Sequence, residues 1–192
     1  MTLPLNLPGV ATTVTPGGGP RILGLDLSIT CTGLAGPGWT ETIKPSKKLD
    51  TLARMDVVVR ELTDRFLAGV ELVALEGIAM AAHDTNRQIA GLNWIVRREL
   101  WKRGVPFASV PPMTLKQFIA GKGNASKADV VREVTRRFDW FAGGEDEADA
   151  VVLAAMAADR AGSPMAFLPK AQRDAAMAKV AWPELAGMER AA

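Results

Sequence analysis

Three short strand-like runs come before the first helical segment, and that order limits the folds open to this chain. Arg21 to Leu27 is apolar, with Asp26 near its end. Thr32 to Ala35 and Trp39 to Ile43 follow, joined by Gly36-Pro37-Gly38, a strong turn signal. Three strands in succession predict an antiparallel meander. Leu52, Met55, Val59, Leu62 and Phe66 then recur in steps of three and four, which predicts a helix over Leu49 to Leu67 with Asp50 as its N-cap. The run Glu71 to Glu76 is apolar between its ends, the pattern of a strand buried on both faces. A helix from about Asp84 to Arg103 and a strand from Val105 to Val110 come next, and Pro111-Pro112 forces a break. The rest reads as helices: Met113 to Ala120, Ser126 to Phe138, Glu145 to Ala161 and a short one near Asp174 to Ala178. The order predicts an α/β chain, a five-stranded mixed sheet with helices on both faces. Residues 1–20, rich in Pro, Gly and Thr, read as a flexible lead-in, 21–162 as one domain, and 163–192 as a tail.

Composition narrows the class. A chain of 192 residues can build one proper core, and 48% hydrophobic content excludes a disordered polymer. No apolar run approaches the roughly 18 residues of a membrane span. The N-terminus lacks a basic stretch followed by an apolar core, so no secretory signal is expected. The single cysteine, Cys31, excludes an intrachain disulfide and suits a reducing, cytoplasmic setting. The single histidine, His83, argues against a structural zinc site and a His-activated nucleophile.

Net charge is only +2, but its distribution is uneven. From Thr114 to Phe138, Lys116, Lys122, Lys127, Arg132, Arg136 and Arg137 face only Asp129 and Glu133, a local net of +4. An acidic stretch, Glu145 to Asp149, follows directly. A basic segment beside a carboxylate cluster suits an anionic backbone held next to a metal. A solvated helix face explains the basic run equally well.

Four carboxylates stand out. Asp26 ends the first strand, before Ser28, Thr30, Thr32 and Gly33, small residues that permit a tight turn and close approach of a phosphate or metal to backbone; a turn-capping Asp is the plainer reading. Glu76 ends an apolar strand, where a carboxylate is costly unless paired or metal-bound, and Gly77 leaves room for a ligand. Asp146 and Asp149 are three apart on a helix, hence on one face and close enough to share a cation. The helix dipole explains Glu145, Asp146 and Glu147, and explains Asp149 less well. Oxygen ligands at strand ends hold hard divalent metals against phosphate.

In this order the motifs resemble those of the RuvC-like Holliday junction resolvases, in the ribonuclease H-like superfamily. The resemblance spans roughly Arg21 to Asp159. Ile22-Leu-Gly-Leu-Asp26 with Thr32-Gly33 is similar to the family's first motif, Leu75-Glu76 to its second and Asp146-Glu-Ala-Asp149-Ala to its third. Pro111 to Lys116 and Gly121 to Lys127, with an eleven-residue step between Lys116 and Lys127, resemble its DNA-contacting segment. The resemblance implies a ribonuclease H-like fold and an endonuclease that cuts four-way DNA junctions. Asp26, Glu76, Asp146 and Asp149 would bind two Mg²⁺ ions, with Mn²⁺ as the other candidate. Lys116 and Lys127 would neutralise phosphate charge, with Ser28, Lys122 and Arg132 as further nucleic-acid contacts. It implies a homodimer, for which the apolar stripe Ile89, Leu92, Ile95, Val96 and Leu100 offers a face; packing into the chain's own core is the competing use of that stripe. Without metal, the four carboxylates are expected to be strained or partly protonated.

Two departures matter. Leu27-Ser28 stands where many members have Pro-Gly, which resembles the phage-type branch. Ala79 stands where the bacterial family has an aromatic wedge, which points toward looser selectivity for branched or flapped DNA, with Met80 as a substitute wedge. Other readings are an RNA-processing nuclease of the same fold, an actin-like or sugar-kinase ATPase, and a non-catalytic DNA-binding module. The ATPase needs a duplicated domain longer than this chain.

Overall fold

The computed structural model describes residues 20–78 and 84–185. The meander is β1 (Ile22–Asp26), β2 (Thr32–Gly36) and β3 (Trp39–Ile43). Then follow α1 (Thr51–Arg65), β4 (Leu72–Glu76), α2 (Asp84–Lys102), β5 (Phe107–Val110), α3 (Pro112–Ala120), α4 (Lys127–Arg137), α5 (Glu145–Arg160) and α6 (Lys170–Met177). The sheet runs β3-β2-β1-β4-β5. β1–β2 and β2–β3 are antiparallel, while β1–β4 and β4–β5 are parallel. The expected five-stranded mixed sheet is therefore present. Pro37 and Gly38 make the β2–β3 turn, with Gly38 at φ 84°, the left-handed region that glycine enters without strain.

Strand alternation splits the core into two layers. Ile22, Leu72, Ala74, Ala108 and Val110 pack with α3, α4 and α5 on one face. Leu23, Leu25, Leu34, Val73 and Leu75 pack with α1 and α2 on the other. Asp26 and Glu76 follow Gly24 and Ala74 by two residues, so both side chains fall on the α5 face.

α5 is the central helix, buried throughout from Ala150 to Ala158. Its small residues and two strand glycines let it lie almost on the sheet. A Cβ on Gly24 would stand 2.1 Å from the Ala150 carbonyl oxygen, and one on Gly33 would stand 2.1 Å from the Asp146 carbonyl oxygen. Gly33 lies within β2, inside the strand expected from Thr32 to Ala35, and beneath the start of α5. The turn is built by hydroxyls: Thr32 Oγ1 donates to the Ser28 carbonyl at 2.6 Å and accepts the Ser28 N–H at 3.0 Å.

Three of the five stripe residues on α2 serve this chain's own core, while Ile89 lines a cleft and Ile95 is exposed. Leu92, Val96 and Leu100 are completely buried against the α1 face, because a helix over a sheet turns its widest apolar arc inward. The exposed apolar residues of α2 are Trp94, Ile95 and Trp101. The basic run also divides. Ser126 and Asp129 form a reciprocal capping box at the start of α4, each main-chain N–H bonding the other's side chain at 3.1 Å. Arg132 pairs with Asp129 at 2.6 Å, Arg136 with Glu133 at 2.7 Å and Arg137 with Glu133 at 3.1 Å. These arginines are helix-surface pairs.

Beyond Gly162 the chain returns to the core through Leu168, Ala176 and Val180. The short helix there begins at Lys170, earlier than expected. Gln172 Nε2 donates to the Phe118 carbonyl at 2.8 Å, and Lys179 Nζ to Gln117 Oε1 at 2.6 Å, so this segment braces α3. Of the expected lead-in, only Pro20 lies within the described residues. No helix among the described residues is long and apolar enough to cross a membrane.

Candidate active-site cleft

β1 and β4 run parallel with Leu25 opposite Leu75, and the same register continued by one residue sets Asp26 beside Glu76. The first turns of α5 cross this sheet edge at Gly33 and bring Asp146 and Asp149 to it. α3 and the start of α4 close the other side with Lys116 and Lys127. All six line one cleft of about 340 Å³, together with Ser28, Gly77 and the apolar wall Ile78, Ile89 and Pro112. The structure brings Asp26, Ser28, Glu76, Lys116, Lys127, Asp146 and Asp149 of the sequence expectation together in this one cleft.

The carboxylates sit under strong mutual constraint. Burial, then the charges of Glu76 and Asp149, a hydrogen bond to Glu76 and the charge of Asp146 push Asp26 up to about 8. Burial and the neighbouring carboxylates thus favour the protonated form of Asp26. Burial and Asp149 also raise Glu76, against the opposing pull of the Asp26 hydrogen bond, Lys127 and Lys116. Burial raises Asp149, and Lys127 and Lys116 partly restrain it. For Lys127, burial works against the charge, but Asp149, Glu145 and Asp26 outweigh it and hold the ammonium above its usual range. For Asp26, Glu76 and Asp149 the shifts all run toward the protonated acid, the direction that converging carboxylates without metal impose.

Not every acid in the cluster belongs to the cleft. Glu147 accepts the main-chain N–H of Gly144 at 3.0 Å and caps α5, as the helix-dipole reading holds. Glu145 is exposed and pairs with Lys127 at 3.6 Å. Lys122 and Arg132 lie outside the cleft lining, and both pair with Asp129, at 3.8 Å and 2.6 Å. Ala79, Met80 and His83 lie outside the described residues.

Two residues of the site had been given no part in it. Cys31 donates its thiol to Asp146, and burial together with that bond pushes it up to about 12. Asn93 of α2 lines the cleft beside Glu76, its Nδ2 donating to the Glu76 carbonyl at 3.1 Å. An Asn one step from a core leucine on a helix gives no sequence signal that separates it from a solvent-facing polar residue.

The donor set suits a hard divalent cation: four carboxylates, with no sulfur or imidazole ligand in the lining. Among the described residues, no group of three or more acidic, His or Cys side chains is already spaced to hold a metal ion. Without a cation, the crowding of Asp26 by Glu76, Asp149 and Asp146 favours its protonated form. The same repulsion that retains this proton would favour its exchange for a cation.

No protein-family model matches the chain. Two solved structures share its architecture. The Thermus thermophilus RuvC structure is 24% identical, with a TM-score of 0.57, over 76% of this chain and 99% of that one. Thermus thermophilus RuvC in complex with a Holliday junction substrate is 21% identical, with a TM-score of 0.55, over 76% of this chain and 98% of that one. The fold is therefore the RuvC-like form of the ribonuclease H-like architecture.

Proposed function

We propose that this cleft is the active site of a Mg²⁺-dependent endonuclease that resolves four-way DNA junctions. One observation carries the reading: two strand ends and a buried helix bring Asp26, Glu76, Asp146 and Asp149 into a single cleft faced by Lys116 and Lys127. An acidic site with two cations at its rim can accept a phosphodiester only if further positive charge joins it. That need favours a metal nuclease over a non-catalytic binding module. The Thermus thermophilus protein of this fold is known with a Holliday junction substrate, and the same substrate class is proposed here.

The four carboxylates would hold the metal, two ions in the full site. Bound there, divalent metal supplies Lewis acidity to the phosphate and lowers the pKa of water. The chain's own residues do the rest. Asp26, whose protonated form burial and its neighbours favour, would give up its proton to hold the cation. Lys116 and Lys127 offset phosphate charge, most strongly as charge builds in the transition state. Ser28 borders the path of the backbone, and Lys122 and Arg132 flank it from outside the cleft. No protein nucleophile is required.

A four-way junction has two-fold symmetry, so two matched cuts call for two copies of the site. We place the dimer surface on exposed Trp94, Ile95 and Trp101 of α2; of the original stripe only Ile95 is exposed. Sedimentation of a monomer at micromolar concentration would contradict the dimer.

Substrate choice tests the function. Cleavage should be strongest on an immobile four-way junction, compared with linear duplex, flap and structured RNA. Equal cutting of flaps and junctions would make this a broader branched-DNA nuclease, and cutting of RNA alone would move it to RNA processing.

A further inference from the structure

Lys44, Lys47 and Lys48 lie just beyond the end of β3, and all three are exposed. Among the described residues none of them has a carboxylate partner, whereas Lys102, Lys122, Lys127 and Lys170 each pair with one. From Lys44 to Arg54, these three lysines and Arg54 face only Asp50, a local net of +3. Arg54 is already committed: its Nε donates to the Leu49 carbonyl at 3.1 Å and its Nη2 to the Lys47 carbonyl at 2.8 Å. Asp50 caps α1 by accepting the Ala53 N–H at 2.9 Å. Pro45 is buried. The main chain of this loop is therefore held, and three unpaired ammonium groups project from it. Seating an anion on a held loop costs less than ordering a loose one.

The sheet places these lysines beside the cleft. β3 runs parallel to β1, because each is antiparallel to β2. The end of β3 therefore lies on the sheet edge that carries Asp26 and Glu76. Asp26 pairs with Gly33 and Gly33 with Thr42, so these positions share one face. Lys44, two residues past Thr42, returns to that face. The β2–β3 register continued by one residue sets Lys44 opposite Cys31, and the Lys44 charge acts on the Cys31 thiol that bonds Asp146. Two strand spacings and two residues of rise put the Lys44 main chain about 12 Å from that of Asp26, the span of about three nucleotide steps. Lys116 stands on the other side, since α3 follows β5, the opposite edge strand. A nucleic-acid strand that crosses the carboxylates has Lys116 at one end of its path and this loop at the other. We propose that Lys44, Lys47 and Lys48 form a second phosphate-binding surface, which holds the DNA arm on the far side of the cleft from Lys116. This rests on the DNA reading above. The lysines touch only the sugar-phosphate backbone, so they hold any sequence equally well.

Salt dependence tests this, because each lost phosphate contact lowers the slope of log K against log salt by about 0.9. Binding of a labelled four-way junction to the full chain is measured from about 50 to 200 mM salt, with Ca²⁺ replacing Mg²⁺ to slow cutting. The triple variant Lys44→Gln, Lys47→Gln, Lys48→Gln should lower the slope by about 2–3 and weaken binding at least about 10-fold at 50 mM salt. Its melting temperature should stay within about 1 °C of wild type, since the three side chains are exposed and unpaired. The triple variant Arg60→Gln, Arg136→Gln, Lys170→Gln removes the same charge from other surfaces and should change the slope by less than about 0.5. An unchanged slope in the lysine variant, or an equal change in both, overturns the proposal and makes the loop an ordinary solvated surface. A wild type that binds the junction but cuts no nucleic acid with Mg²⁺ overturns the nuclease reading instead, and the slope still decides the part of the lysines. A wild type that binds no DNA overturns both.

Discussion

Gly33→Ala should disable the site from outside it. Gly33 makes no contact through a side chain, yet a Cβ there would stand 2.1 Å from the Asp146 carbonyl oxygen and 2.7 Å from its carbonyl carbon. An ordinary carbon–oxygen contact is about 3.3 Å, so the first turn of α5 must retreat by roughly 1 Å. Both neighbours are backbone, so no rotamer change relieves the clash. Overpacking of this kind costs about 1–3 kcal/mol, which lowers the melting temperature of a domain this size by roughly 5 °C. A 1 Å shift of Asp146 and Asp149 should cut junction cleavage about 100-fold, well beyond what the lost stability explains at 25 °C. Gly91→Ala is the control. Its Cβ would meet only Met55 Cε at 3.7 Å, and alanine inside a helix should add about 0.5–1 kcal/mol with activity unchanged. Thermal melts and single-turnover cleavage of both variants are the assay. A Gly33→Ala protein as stable and as active as wild type would refute the claim that close packing of α5 positions the acids.

Other outcomes follow from the electrostatics. Between its unfolded value near 4 and its folded value of about 8, Asp26 binds more proton in the folded state, so metal-free stability should fall as pH rises through that window. The slope is up to about 1.4 kcal/mol per pH unit for each extra proton held, and Mg²⁺ should flatten it; metal-free melts that rise from pH 5 to 8 would contradict this. Asp26→Asn should melt higher than wild type without metal, because it removes a buried repelled acid, and should lose the stabilisation by Mg²⁺. Lys127→Ala and Lys116→Ala should each reduce kcat by about 10- to 100-fold. Arg132→Ala, already paired with Asp129, should alter cleavage by less than about three-fold.

Much of this was legible in the sequence, for identifiable reasons. Short apolar runs marked β1 and β4, steps of three and four marked α1, and the turn and cap residues fixed their ends. Asp26 and Glu76 were conspicuous because each ends an apolar strand, and Asp149 because it lies too deep in α5 for a dipole role alone. What stayed hidden depends on which side of an element faces what. The α2 stripe fits a core or an interface by pattern alone, and only packing over Leu23 and Leu75 assigns Leu92, Val96 and Leu100 to the core. The arginines of α4 look like a nucleic-acid surface until Asp129 and Glu133 take them up. The close packing of α5 on Gly33 stayed hidden because a distant helix lying on a strand glycine leaves no local mark. Cys31 and Asn93 each join the site through one hydrogen bond to a residue far away in sequence.

The central claim is that Asp26, Glu76, Asp146 and Asp149 form one metal-dependent centre for cutting branched DNA. Cleavage of a labelled immobile four-way junction, with and without Mg²⁺, in wild type and Asp26→Asn, tests it most directly. Paired symmetric nicks in wild type that need Mg²⁺ and vanish in Asp26→Asn are the predicted result. Cleavage that persists in EDTA, or in Asp26→Asn with Mg²⁺, would contradict it.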